Sequence, residues 1–380
     1  MSSTLVSIIF ALWGGAVLFS IVGAEDNSCV TEADQAALLQ DYRHRLGRPA
    51  EPDRDIDAWI ASANALSERR GGSLRLGRTS LVNLTDDEFA SKYLMPSIGR
   101  RAAKALSSGR GDDPPPTAGF PIGQPVFKIP DPREVPSGAD PCDYRKLMTP
   151  LKHQRGESCY AYGAAGAAEA AVALETGQVS TDLSVQQILD CYGGNAATGG
   201  ALNLPDPRLS GGPVAPFMAN NALATMAAYA TESDTEAHPC RFNESTMEHV
   251  NLTNDYYFQS EENMRTALGG DYPCQRASAL GIARAINAHG TGFQSYKSGV
   301  YDHRKLNGTC GSGVQHLNHI ILVVGFGEES SVNGETVKYW WIKNSWGTDW
   351  GYDGYGKMLR DANECGIGAR LSDTAAFGAQ

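Results

Sequence analysis

Residues 158–176 read Ser-Cys-Tyr-Ala-Tyr-Gly-Ala-Ala-Gly-Ala-Ala-Glu-Ala-Ala-Val-Ala-Leu-Glu-Thr, and the run ends at Gly177. Alanine is the best helix former and glycine the common stop, so the stretch predicts one helix. Its alanines leave almost no polar face, which predicts a helix buried against close neighbours. Cys159 opens it. A helix N-terminus stabilises an anion, and the thiolate is the form of cysteine that attacks. A core or disulfide cysteine is the competing reading; nucleophilic use needs a histidine for the proton and a third group to orient it.

Downstream, the texture changes to strands. His319 to Phe326 and Val337 to Lys343 are apolar runs bounded by Gly or Asn. His319 opens the first and Asn344 closes the second, which supplies both missing groups. His316-x-x-His319 offers too few ligands for a metal. A helical half followed by a β-rich half predicts an α+β fold of two lobes with a cleft between them.

Upstream, Leu38/Leu39/Tyr42 and Ile56/Trp59/Ile60 have helical spacing, with Pro49 and Pro52 dividing two helices. Ser73 to Leu76 is a short strand candidate that stops at Gly77. Thr85 with Glu88 three residues later reads as a capping box opening a third helix. Residues 107–140 are rich in Gly, Ser and Pro, and form an extended strap. An adhesive role for its Arg110-Gly111-Asp112 is not expected, since such triplets are common in polar loops.

The chain has 380 residues and a formal charge of −11, which argues against nucleic acid or an anionic membrane as partner. Residues 5–22 are apolar and uncharged and lead to Gly23-Ala24, as a signal peptide ending at residue 24 would; a membrane anchor is the competing reading. The n-region carries no basic residue. Eight cysteines without a C-x-x-C fit long-range disulfides better than a zinc knuckle. Sequons at Asn83, Asn243, Asn251 and Asn307 are compatible with a glycosylated, luminal protein.

From about residue 143 to 377 the chain closely resembles the papain family of cysteine proteases. The resemblance rests on Asp143-Tyr144-Arg145, Thr149 to Gln154, Ser158 to Tyr162, Leu183 to Cys191, Cys240 to Asn243, Leu317-Asn318-His319, Asn344-Ser345-Trp346-Gly347, Trp350-Gly351, Gly354-Tyr355 and Cys365-Gly366. It implies a two-lobe fold with a β-barrel-like second lobe, and a cysteine endopeptidase needing no cofactor and no metal. Cys159 would be nucleophile, His319 base, Asn344 its orienting group, and Gln154 the oxyanion donor beside the Cys159 N–H. Trp346 would cover the His319–Asn344 bond. Leu76-Gly77-Arg78 and Asn83 to Phe89 are similar to the family's inhibitory propeptide, whose strap runs backward through the cleft. This divides the chain into a signal at 1–24, a propeptide at 25–106, a strap with the processing region at 107–140 and a peptidase at 141–380. An accessory domain that stays attached is the competing reading of 25–135. The resemblance implies peptide substrates, the propeptide and cystatin-type inhibitors as partners, a monomer free of membrane once the signal is removed, and a lysosome-like or extracellular location.

The chain departs from the family at Gln154-Arg155-Gly156-Glu157-Ser158-Cys159-Tyr160. The first of two active-site cysteines is absent, one residue is deleted, and Tyr160 replaces Trp. No cysteine lies between Cys191 and Cys240, so the lost cysteine's partner is missing too. Packing would then have to hold the oxyanion loop. The resemblance assigns disulfides Cys191–Cys240 and Cys310–Cys365; with Cys159 and Cys29 set aside, Cys142 and Cys274 remain as a third pair. The glycines that bind substrate backbone would be Gly211-Gly212, with Gly199-Gly200 the alternative. No His-bearing occluding loop is apparent. Arg370, five residues after Cys365, would form the floor of the main specificity pocket and favour Asp or Glu there, unless it turns to solvent. Tyr160 and the lost disulfide leave one alternative from another class, an impaired homologue that binds peptides.

Overall fold

A computed structural model describes residues 54–96, 98–100, 103, 142–179, 181–191, 218, 222–231, 238–256, 258, 260–270, 274, 277–289, 292–306, 310–331, 333–369 and 374–379. The expected signal, the first propeptide helix, the strap at 107–140, Cys29, Gly199-Gly200, Gly211-Gly212, Asn307 and Arg370 lie outside these residues.

The N-terminal segment supplies α1 (Arg54–Arg69), β1 (Arg75–Leu76) and α2 (Asp86–Tyr93). At α2 the capping box forms in full: the Glu88 N–H donates to Thr85 Oγ1 and the Thr85 N–H to Glu88 Oε2. Next come α3 (Cys159–Thr176), α4 (Val185–Cys191), β2 (Ala222–Ala224), β3 (His249–Tyr256), α5 (Glu261–Ala267) and β4 (Ile282–Ile286). The strands β5 (Tyr296–Ser298), β6 (Val300–Tyr301), β7 (His319–Ser330), β8 (Thr336–Lys343), β9 (Tyr355–Leu359) and β10 (Thr374–Ala379) complete the order. Among the described residues, eight strands form one sheet in the order β2-β3-β10-β4-β7-β8-β9-β6.

The helix α3 ends where Gly177 takes a left-handed conformation, at φ 66°. Its small residues are there because β7 comes close. A Cβ on Gly163 would sit 2.5 Å from Ile320 Cγ2, and one on Gly166 would sit 3.1 Å from Leu322. The helix therefore packs its backbone directly on the sheet, and alanine is about the largest residue that most of this face admits. The start of α3 and the start of β7 are thereby held together across the two lobes.

Three disulfides join Cys142 to Cys274, Cys191 to Cys240 and Cys310 to Cys365. Among the described residues, Cys159 is the cysteine outside them. Asn83, Asn243 and Asn251 are exposed. No helix among the described residues is long and apolar enough to cross a membrane.

Candidate active site

Two elements that are 160 residues apart in sequence build the site. Cys159 stands at the first position of α3 and is fully buried. His319 is the first residue of β7 and Asn344 follows the last residue of β8. In the β7–β8 hairpin Leu322 lies opposite Lys343, which brings Asn344 beside the beginning of β7.

His319 Nε2 lies 2.9 Å from Asn344 Oδ1. That same oxygen accepts the Ser345 backbone N–H at 2.8 Å, which identifies it as the carbonyl end of the amide. Nε2 must therefore carry the proton, and in the neutral ring Nδ1 is left with a lone pair. Nδ1 is buried and has no hydrogen-bond partner among the described residues. It is thus a base with its proton position vacant. The Trp346 ring stacks on the imidazole at 4.4 Å between centroids and 27° between planes, which shuts water away from the His319–Asn344 bond. Burial pushes the imidazole pKa down to about 4, although the Asn344 bond acts in the opposite direction.

Gln154 lies on the loop ahead of α3 and is fully buried. In place of the missing disulfide, hydrogen bonds to Ser345 tie this loop to the residues after Asn344. The Gln154 N–H donates to Ser345 O at 2.7 Å, and Ser345 Oγ donates to Gln154 Oε1 at 2.5 Å. Its Nε2 donates to Gly156 O at 2.8 Å and to Tyr93 O at 3.3 Å. The sequence reading did not single out Ser345, yet it holds Gln154 and orients Asn344 together. Its signal, a serine between Asn344 and Trp346, was too ordinary to stand out.

The N-terminal segment covers this machinery. Strand β1 pairs antiparallel with β5, and Asn64 clamps Leu76 by donating to its carbonyl and accepting from its N–H. Phe89 of α2 is fully buried and meets Trp346 edge-on at 5.1 Å. Beyond α2 the Met95 N–H donates to Asn318 O and the Gly99 N–H to Leu317 O, next to His319. Gly99 passes so close that a Cβ there would sit 2.4 Å from Gln315 O. This segment thus runs from Gln154 across to the residues before His319, and the Tyr93 carbonyl takes a donor of Gln154.

A buried charge cluster lies under the site. Glu169 of α3 accepts from Thr149 Oγ1, from the Leu183 N–H and from Lys152 Nζ, and Lys152 also pairs with Asp182 at 2.6 Å. Lys343 donates to Thr149 O and Oγ1, and burial pushes its pKa down to about 8. One carboxylate on the helix that Cys159 opens therefore braces the Gln154 loop and, through Thr149, the end of β8. Its visible signal was a glutamate set among alanines in the middle of the helix, where burial of a carboxylate requires partners; the helix's other glutamate, Glu175, lies at the exposed end.

Residues 135–374 match the family described as papain family cysteine protease. The chain is 30% identical over 378 residues to the cysteine endopeptidase RepA of Oryza sativa subsp. japonica, covering 92% of this chain and 88% of that one. It is 34% identical over 336 residues to the oryzain gamma chain of the same organism, covering 85% and 78%. In fold it is similar to the proform crystal structure of the ragweed pollen cysteine protease Amb a 11, with a TM-score of 0.57 at 23% identity over 92% of this chain and 86% of that one. The chain belongs to the papain family of cysteine proteases.

Proposed function

We propose that this cysteine endopeptidase, made as a zymogen, uses Cys159 as nucleophile, His319 as base and acid, Asn344 as orienting group and Gln154 as oxyanion donor. The observation that carries the assignment is the His319–Asn344 pair under Trp346, with Nδ1 left unprotonated by the tautomer that Ser345 imposes. Nδ1 takes the Cys159 thiol proton, and the thiolate at the start of α3 attacks the scissile carbonyl carbon. Negative charge on the carbonyl oxygen is met by Gln154 Nε2 and the Cys159 N–H. The imidazolium then protonates the leaving amine, and water hydrolyses the acyl-enzyme.

In the zymogen two of these parts are held out of action. Gln154 Nε2 is engaged by Tyr93 O, and His319 sits in surroundings that disfavour its charged form. Processing within 107–140 would free both. The proposed route is the secretory pathway, with residues 1–24 as signal and glycans on Asn243, Asn251 and Asn307, toward a lysosome-like or extracellular destination. The mature enzyme is proposed to act as a monomer, open to cystatin-type inhibitors. Gly211-Gly212 would bind substrate backbone and Arg370 an acidic side chain. The test is labelling by an active-site-directed epoxide after acidification: modification of Cys159, lost in His319→Ala, supports the assignment, and modification elsewhere refutes it.

A further inference from the structure

His303, Cys310, Glu364 and Cys365 come from three separate stretches of chain, include none of the proposed catalytic residues, and converge. Each offers one donor atom, and the four atoms lie within 4.8 Å of one another. His303 Nδ1 is 2.9 Å from Glu364 Oε1, and Cys365 Sγ is 3.6 Å from the same oxygen. Glu364 is further fixed by the His303 backbone N–H at 2.8 Å. Glu364 and both cysteines are buried, while His303 is partly open to solvent and gives a way in.

One imidazole, one carboxylate and two sulfurs are a donor set for zinc or cobalt, and a poor one for magnesium or calcium. Ligands about 2.0–2.3 Å from a tetrahedral zinc stand roughly 3.2–3.8 Å apart. The pairs His303–Glu364 and Glu364–Cys365 are already close to that spacing. The two sulfurs, now bonded to each other, would have to separate.

We propose that the Cys310–Cys365 disulfide caps a latent metal site, and that once a dithiol has reduced it, Cys310, Cys365, His303 and Glu364 bind one zinc-class ion. The dithiol supplies two electrons and two protons and becomes a cyclic disulfide, while each cysteine becomes a thiol. Metal binding then releases both thiol protons to solvent. The ion takes over the cross-link between Cys310 and Cys365 where the surroundings are reducing. With the disulfide intact, two of the four donors are lost and the site does not form. The two cysteines are 55 residues apart and form no C-x-x-C pair, so no spacing announces the site.

The test uses the full chain as Cys159→Ala, which removes the active-site thiol and prevents self-cleavage. It is reduced, desalted without oxygen and titrated with cobalt(II). The expected result is thiolate-to-cobalt charge transfer and tetrahedral visible bands saturating at about one ion per chain in the reduced form, and neither in the oxidised form. His303→Ala and Glu364→Gln should each weaken binding at least about 10-fold, and Cys310→Ser with Cys365→Ser should abolish the bands. Equal spectra in oxidised and reduced chains overturn the proposal. So does unchanged affinity in His303→Ala, whose partly exposed position makes it the variant to rely on where Glu364→Gln does not fold. Bands that survive the double serine change also overturn it, since they would come from other thiols opened by the dithiol.

Discussion

Replacing Phe89 by alanine should uncover the active site of the intact precursor. Phe89 is fully buried, edge-on to Trp346, and also stacks on Tyr93 at 5.9 Å within its own segment. Truncating a buried Phe costs about 3–5 kcal/mol. Taking the lower end of that range, about 3 kcal/mol falls on docking itself. The helix α2 has eight residues and is too short to persist alone, so the loss cannot be absorbed by a free but folded segment. At about 1.4 kcal/mol per decade, the undocked fraction rises roughly 100-fold. The rate at which an epoxide labels Cys159 should rise by the same factor, measured at neutral pH by mass spectrometry of the uncut chain. Phe89→Leu, which keeps much of the volume, should show a far smaller rise. Labelling within about threefold of wild type, in a Phe89→Ala chain of native melting behaviour, would refute the reasoning.

Acid should convert the precursor by a cut within residues 107–142. The covered His319 titrates at about 4, below the ~6.5 of a free imidazole, so the undocked form binds more protons between those values. Docking is therefore complete above about 6.5 and weakens as pH falls toward 4. The Glu88 carboxyl, held below its usual range chiefly by the Thr85 backbone N–H, adds in the same direction as it protonates. Cys159→Ala should fold yet fail to self-cleave, and a precursor that cleaves peptides fully while intact would disprove the scheme. Asn344→Ala should lower turnover while leaving thiol labelling detectable, whereas His319→Ala should remove both; equal damage from His316→Ala in peptide hydrolysis assays would overturn the choice of base. Glu169→Gln should lower stability by about 2–3 kcal/mol, because Lys152 keeps only Asp182 as counter-ion, and an unchanged Tm would contradict this. If Arg370 floors the specificity pocket, a positional peptide library should show tolerance of Asp or Glu that disappears in Arg370→Ala.

The helix at 159–176, its stop at Gly177, the capping box at Thr85, the strand start at His319 and, to within one residue, that of β8 at Thr336 were legible in the sequence. Each rests on interactions within a few residues: helix propensity, a left-handed glycine, a reciprocal pair of side-chain hydrogen bonds, runs of apolar residues. The residue types of the site were legible as well, since Cys, His, Asn and Gln stood in motif-bearing blocks. The resemblance carried their roles; spacing alone left Cys159 open to a structural reading. Tertiary structure alone decided how those residues face one another. The register of β7 against β8 put Asn344 beside His319, and the Ser345 N–H chose the tautomer. Only the packed chain showed that Tyr93 O takes a Gln154 donor, that Glu169 braces both sides of the site, and that His303 meets Glu364. These contacts join residues 17 to 61 positions apart. Such closures depend on the whole sheet and helix packing, and no local propensity encodes them.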